Sequence, residues 1–351
     1  MNLSRMERKM DHIRLALETG QSNRTGLDDI RFVHQSIPET SLDSVSLETK
    51  IGELVLSSPI FINAMTGGGG ERTLDINRRL AQVAKETGIG LAVGSQMAAL
   101  KNNEERPTFE VVREENPNGI IFGNLGSEAN VDQARAAVDM IQADGLQIHL
   151  NVVQELTMPE GDRNFRGMLT RIERIVNQVN VPVIAKETGF GISKESVEAL
   201  FSVGVSAVDV SGFGGTNFAV IENQRRTNTY SFFESWGNPT AASIIEANEK
   251  SAGRPIIASG GIQSSLDVAK CLALGASAVA LAGRMLRSLT EHGQEYLITE
   301  VAQLNDDLKV IMTALGKTSV EELKTAPLII SGDTWHWLNE RGINTKKYSQ
   351  R

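Results

Sequence analysis

Eight short apolar runs rich in Val, Ile, Ala and Phe recur along the chain, with helix-like stretches between them. They read SPIFINAM (58–65), GIGLAVGS (88–95), NGIIFGNL (118–125), GLQIHLN (145–151), VPVIAKE (181–187), AVDVSG (207–212), RPIIASGG (254–261) and AVALAG (278–283). Most starts fall on the order of 25 to 30 residues apart, the length of a strand plus a covering helix. The intervals carry helical patterns such as TLDINRRLAQVAKETG and NVDQARAAVDMIQADG, several ending in Gly, a common helix stop. Strands that are apolar throughout, alternating with helices, imply a parallel sheet covered on its faces. Eight such units predict an α/β fold, a (β/α)8 TIM barrel, rather than an open doubly wound sheet. The first strand is followed by no GxGxxG, which removes the main signal for a dinucleotide fold. We read the chain as one domain, 1–351, with a barrel core over about 58–290. Residues 1–57 form an N-terminal extension with a basic helix and a hairpin at VSLETKIGELVLSSP, and 291–351 a C-terminal helical extension. Residues 213–239 make a long, aromatic loop after the sixth strand, expected to be an ordered lid or a subunit contact.

Composition narrows the function classes. A net charge of −8 argues against nucleic acid as a partner, so an anionic substrate needs a local cluster of cations. Apolar runs are too short for a membrane span. The N-terminus MNLSRMERKMDHIRLAL is charged and amphipathic, without the apolar core of a secretory signal. The single cysteine, Cys271, cannot form an internal disulfide, which fits a cytoplasmic setting; its mid-helix position predicts a buried, inert thiol.

In a barrel of this kind chemistry sits at the C-terminal ends of the strands. Every predicted strand here ends in polar or Gly residues: Asn63 to Gly68, Gly94 to Gln96, Gly123-Asn124, His149 to Asn151, Lys186 to Thr188, Ser211-Gly212, Ser259 to Gly261 and Ala282 to Arg284. One site shared by all eight strands follows. SGGI after strand seven and AGR after strand eight point to a phosphate group, because Gly lets backbone N–H groups approach an anion. Lys186 ends a buried strand and needs a polar partner. It could face a flavin, form a Schiff base, or pair with a barrel carboxylate. The segment IHLNVVQE places His149, Asn151, Gln154 and Glu155 within seven positions. His149 and Asn151 share a strand face by the period of two.

The motifs MTGGGGERT, GSQ, GNLG, HLNVVQE, AKETGFG, VSGFGGTNF and ASGGI, in this order, resemble the type 2 isopentenyl-diphosphate isomerase family, and RKMDHI near the start resembles that family's basic opening. The resemblance covers almost the whole chain. It implies an FMN-dependent barrel that interconverts isopentenyl and dimethylallyl diphosphate, needs Mg2+, has its flavin reduced by NAD(P)H, and assembles as a homotetramer or homo-octamer. It further implies that Ala64, Met65 and Thr66 hold the flavin ring, with Gly67 and Gly68 allowing close approach. Ser95 and Asn124 would meet the flavin edge, Lys186 its N1/O2 side, and Ser211 and Thr216 the ribityl or phosphate oxygens. Gly260, Gly261, Ile262, Ala282 and Gly283 would cradle the phosphate. Arg8, Lys9, Ser95, Gln96, His149 and Asn151 would bind the substrate diphosphate, Gln154 the reacting end, and Glu155 the Mg2+. Gln154 and His149, working with reduced FMN, are the catalytic candidates. The chain departs from the family at Met97, where Arg is common; Arg72, Arg225 or Arg226 are the cations that could compensate.

This chemistry suits these groups. Mg2+ binds a diphosphate while keeping waters and taking one or two carboxylates. An alkene is a very weak base, so an ordinary carboxylic acid is poorly matched to protonate it. The resemblance implies that reduced FMN is itself the acid–base group, with no net redox work. His34, His292 and His336 read as surface or packing residues, and His12 as a possible support for the basic opening. Three other readings compete: a hydroxy-acid oxidase, which needs a His base absent from strand six; a Schiff-base lyase on Lys186; and a flavin-binding protein without activity.

Overall fold

The computed structural model describes residues 25–65 and 69–351. Eight parallel strands close into a barrel: β4 (Ile60–Ile62), β5 (Gly90–Ala92), β6 (Ile121–Gly126), β7 (Gly145–Leu150), β8 (Val183–Glu187), β9 (Ala207–Asp209), β10 (Ile256–Ala258) and β11 (Ala278–Leu281). Their spatial order is their chain order, and the register Val279↔Ile60 shuts the ring. Each strand lies inside one of the eight runs read from the sequence.

Side chains alternate faces along a strand, and the alternation sorts the barrel into layers. Ile60, Ile62, Ile121, Leu146, Ile148, Val183, Val208 and Ile256 point outward and pack in the main core with the helices. Phe61, Phe122, Ile184, Ala207 and Ile257 point inward and form a separate cluster. The Phe61 and Phe122 rings meet at 5.5 Å between centroids. Two residues further along the same strands, the inward positions change character. They become Asn63, Asn124, Lys186, Asp209 and Ser259, all buried. The barrel is therefore oily in its lower half and polar at its upper end, where the strands finish.

The hairpin expected before the barrel forms from β2 (Thr49–Ile51) and β3 (Leu54–Leu56). Its Ile51 and Leu56 belong to the inner cluster, so the hairpin plugs the barrel floor. Thr49 Oγ1 donates to the Ser277 carbonyl at 2.7 Å, tying the plug to the start of β11. The C-terminal extension is helical over Gln294–Ala314, Gly332–Glu340 and Lys346–Ser349, as expected. It also holds a strand the sequence reading missed: β12 (Leu328–Ile330) pairs antiparallel with β1 (Ile30–Phe32). The basic helix expected near the N-terminus lies outside the described residues. Cys271 is fully buried, and burial pushes its thiol well above the usual range, in keeping with an inert core residue.

Candidate active site

A cleft opens at the C-terminal ends of β4, β8, β9, β10 and β11, where a barrel of this kind carries its site. Its walls include Asn63, Ala64, Met65, Lys186, Thr188, Ser211 and Thr216 on one side and Gly260, Gly261, Ile262, Ala282, Gly283 and Arg284 on the other.

The glycines are required by contact. A Cβ on Gly260 (φ +105°) would stand 2.1 Å from the Gly212 carbonyl oxygen, and one on Gly261 (φ +72°) 2.4 Å from that of Gly214. A Cβ on Gly215 would stand 2.7 Å from the Gly261 nitrogen. The loops after β9 and β10 thus lie backbone against backbone, a surface suited to an anion. The helix Gly283–His292 begins at the same wall, and its N-terminal dipole favours negative charge there. These features fit the phosphate end of FMN.

Ser211 sits at φ +35°, an uncommon conformation for a residue with a side chain. Its N–H donates to Asp209 Oδ1 at 3.2 Å, and its Oγ accepts from Lys186 Nζ at 3.4 Å. Lys186 Nζ also donates to the Glu187 carbonyl at 2.8 Å and stands 4.0 Å from Asp209 Oδ2. The ammonium is thus anchored at the cleft wall by neutral oxygens with one carboxylate nearby. Beside it, the Glu187 Oε2 accepts from the backbone N–H groups of Gly189, Phe190 and Gly191 at 2.7, 2.6 and 3.2 Å. Burial nevertheless pushes the Glu187 carboxyl up to about 8, against those donors and the Lys186 charge.

The β7 segment stands next to this wall, since His149 is in register with Lys186 and Thr188 Oγ1 donates to the Leu150 carbonyl at 3.3 Å. The chain turns at Asn151 straight into the short helix Val152–Thr157, which carries Gln154 and Glu155. The Asn151 amide donates to Glu155 Oε1 at 2.9 Å, and the Asp162 N–H donates to Oε2 at 2.7 Å. Burial raises the Glu155 carboxyl above its ordinary value, opposed by those two hydrogen bonds. Gln154 Nε2 lies 3.5 Å from Oε1 of Glu222, a fully buried acid on the lid helix Phe218–Asn223. The 213–239 loop is held by its own contacts: Asn223 Nδ2 donates to Glu234 Oε1 at 2.7 Å, the Tyr230 and Phe232 rings stack, Phe233 tilts against Phe232, and Trp236 meets Phe233 edge-on.

The FMN-dependent dehydrogenase family matches residues 157–330. The isopentenyl-diphosphate delta-isomerase of Bacillus licheniformis is 60% identical over 349 residues, 99% of this chain and 100% of that one. The chain belongs to the FMN-dependent, type 2 isopentenyl-diphosphate delta-isomerase family. The isomerases of a Geobacillus species and of Bacillus cytotoxicus are 57% and 60% identical, again over 99% of this chain and 100% of theirs. Among solved structures, a mandelate oxidase variant bound to a substituted phenylacetate superposes with a TM-score of 0.65 at 16% identity, covering 94% of this chain and 100% of that one. At that identity the likeness concerns the barrel alone.

Within this isomerase family member, the structure brings together Ala64, Met65, Lys186, Ser211, Thr216, Gly260, Gly261, Ile262, Ala282 and Gly283 around one cleft. Arg8, Lys9, Thr66 and Gly67 lie outside the described residues. Asn124 points into the barrel and touches His149, while Ser95 is half-buried just beyond β5. Gln96 requires a correction. It is fully buried, its Nε2 donates to the Ala137 carbonyl at 2.9 Å, and its Oε1 accepts from the Asn124 N–H at 3.0 Å. It braces β6 from behind instead of reaching a diphosphate. Met97 is buried in the core. The lid cations offered as its replacement are engaged. Arg225 bridges Glu222 and Glu160, and Arg226 donates to the Thr157 carbonyl at 2.6 Å and lies over the Tyr230 ring at 4.0 Å. Sequence reasoning named Asn63 and Ser259 only as polar strand ends, and missed Gln147, Asp209 and Glu222. Gln147 and Asp209 had a signal: each stands at an inward position of its strand.

Proposed function

We propose that this chain interconverts isopentenyl and dimethylallyl diphosphate, with FMN in the cleft and the diphosphate and Mg2+ beside it. The observation that carries the reading is that one cleft runs from the glycine cradle after β10 and β11 to Lys186 on β8, and that His149, which leads into the Asn151–Glu155 segment, is in register with Lys186 on the neighbouring strand.

Ala64, Met65, Thr66 and Gly67 hold the ring, Ser95 and Asn124 meet its edge, and Lys186 offers its charge where a reduced flavin becomes anionic. Ser211 and Thr216 bind the ribityl chain, and Gly260, Gly261, Ile262, Ala282 and Gly283 the phosphate. When bound and reduced, FMN supplies the acid–base chemistry that moves the double bond. Arg8, Lys9, Ser95, His149 and Asn151 neutralise the diphosphate. Gln154 orients the reacting end without being an acid or base of its own. Glu155 gives Mg2+ one hard oxygen ligand, the rest of its shell being waters and phosphate oxygens. NAD(P)H serves to reduce the flavin. The working form is a cytoplasmic homotetramer or homo-octamer.

The test is a product assay with FMN, Mg2+ and isopentenyl diphosphate under anaerobic conditions, with and without NADPH. Dimethylallyl diphosphate formed only with reduced flavin, without matching NADPH loss, supports the reading. One NADPH consumed per product sinks the acid–base role of the flavin, and no product from fully reduced protein sinks the activity.

A further inference from the structure

Five side chains on four strands join in one hydrogen-bonded line through the polar layer of the barrel. Asn63 Nδ2 donates to Asp209 Oδ2 at 2.8 Å. Gln147 Nε2 donates to Asn63 Oδ1 at 3.1 Å, and Asn124 Nδ2 to Gln147 Oε1 at 3.1 Å. The last link joins Asn124 Oδ1 and His149 Nδ1 at 2.9 Å. Asp209, Gln147, Asn63 and Asn124 are all at most 2% exposed, so water does not offer replacement partners.

A line of amides has two possible polarities, and two backbone groups choose between them. A backbone N–H only donates. The Ser211 N–H points at Asp209 Oδ1, where the Ser259 hydroxyl also donates, so that carboxylate acts as an acceptor. The Ala64 N–H donates to Asn63 Oδ1 at 2.9 Å, which leaves the Asn63 Nδ2 facing Asp209. With Asn63 fixed, Gln147 must present its Nε2, then Asn124 its Nδ2, and the free choice ends at an acceptor facing His149. Turning any one amide would set two donors or two acceptors against each other in a dry interior.

We propose that Asp209, Asn63, Gln147 and Asn124 form a directional relay that fixes His149 with a proton on Nδ1. Which nitrogen of a histidine carries the proton is set by the bond that the other makes. Here that choice is imposed from β9, two strands round the barrel, by way of Asn63 at the end of β4. The four relay residues are positioning residues acting through the His149 ring. In the neutral ring, Nε2 is then an acceptor.

The test is nuclear magnetic resonance of the full-length, flavin-loaded protein labelled at histidine. Five histidines keep the spectrum tractable, and His149→Asn assigns its signals by their loss. In the natural protein the His149 shifts should report the Nδ1–H form by about tenfold or more over the alternative. Asp209→Asn puts an amide where the acceptor was. Two arrangements then compete: one sets the new amide against the Ser211 N–H and keeps the line, and one gives up the Ala64 bond and reverses every amide. His149 should therefore shift from the Nδ1–H form to a mixture of the two forms. Gln147→Met, similar in volume, cuts the line and should give a mixture of forms. A wild-type ring already in the Nε2–H form, or a ring unmoved in whichever variants fold, overturns the relay. The reading that His149 meets the diphosphate is tested apart from this: it fails if His149→Asn leaves the KM for isopentenyl diphosphate unchanged, whatever the resonances report.

Discussion

The Asn151 side-chain amide donates to Glu155 Oε1 across 2.9 Å, one helical turn along the same short element. With the Asp162 N–H on the other oxygen, the carboxylate is held in one orientation at the edge of the site. Glu155→Gln keeps the shape and removes the charge, so the apparent Mg2+ affinity should fall by about tenfold or more, with flavin content unchanged. A Mg2+ titration of activity measures this, and an unchanged midpoint takes Glu155 out of the metal site.

Gly261→Ala should release FMN. Its Cβ would stand 2.4 Å from the Gly214 oxygen and 2.6 Å from Thr25 Cγ2, at a backbone angle that already disfavours a side chain. The expected cost is on the order of 1–3 kcal/mol for the backbone alone. Gly253→Ala is the control: φ is +82° there too, yet nothing lies within 4 Å. Visible absorbance retained through gel filtration should drop for the first variant and persist for the second.

Lys186→Gln should leave a barrel that folds and binds flavin more weakly, and should make the bound flavin harder to reduce. The charge removed lies at the cleft wall, 3.4 Å from Ser211 Oγ. A reductive titration reads the potential; a midpoint equal to that of the natural protein would place Lys186 away from the flavin.

Glu187 predicts a pH dependence of stability. Its carboxyl, ordinarily near 4.5, is raised to about 8 by burial. Between those values the folded state holds a proton that the unfolded state has lost. The contribution of this group is therefore fully present below about 4.5 and is lost as pH rises toward 8. Glu187→Gln removes the titrating proton and still offers an oxygen to the three backbone N–H groups. Its melting temperature relative to the natural protein should climb by roughly a few degrees between pH 5 and pH 8.5. A constant difference across that range would rule the titration out.

Much of this was legible in the residues. All eight barrel strands show in the spacing of runs such as VPVIAKE and RPIIASGG, because a strand buried on both faces has few places to hide a charge. The glycines after strands seven and eight marked one wall of the cleft. The polar interior was harder to see. In SPIFINAM and AVDVSG the inward-facing Asn63 and Asp209 look like ordinary strand ends until the alternation of Phe61 and Ala207 is counted from the barrel axis. Gln96 was misread for the opposite reason: next to Ser95 it resembles a site residue, but the chain has already begun a helix there and turns its side chain outward against Ala137 and Met140. The pairing of β1 with β12 joins segments some 300 residues apart, and no local pattern reports such a partner.

The plugged floor has a kinetic consequence. Ile51 and Leu56 close the barrel from below, and the phenylalanine layer fills the space above them. Such a barrel has one door. Whatever binds in the cleft enters and leaves on the side where the strands finish, so a product must clear that mouth before the next molecule takes its place.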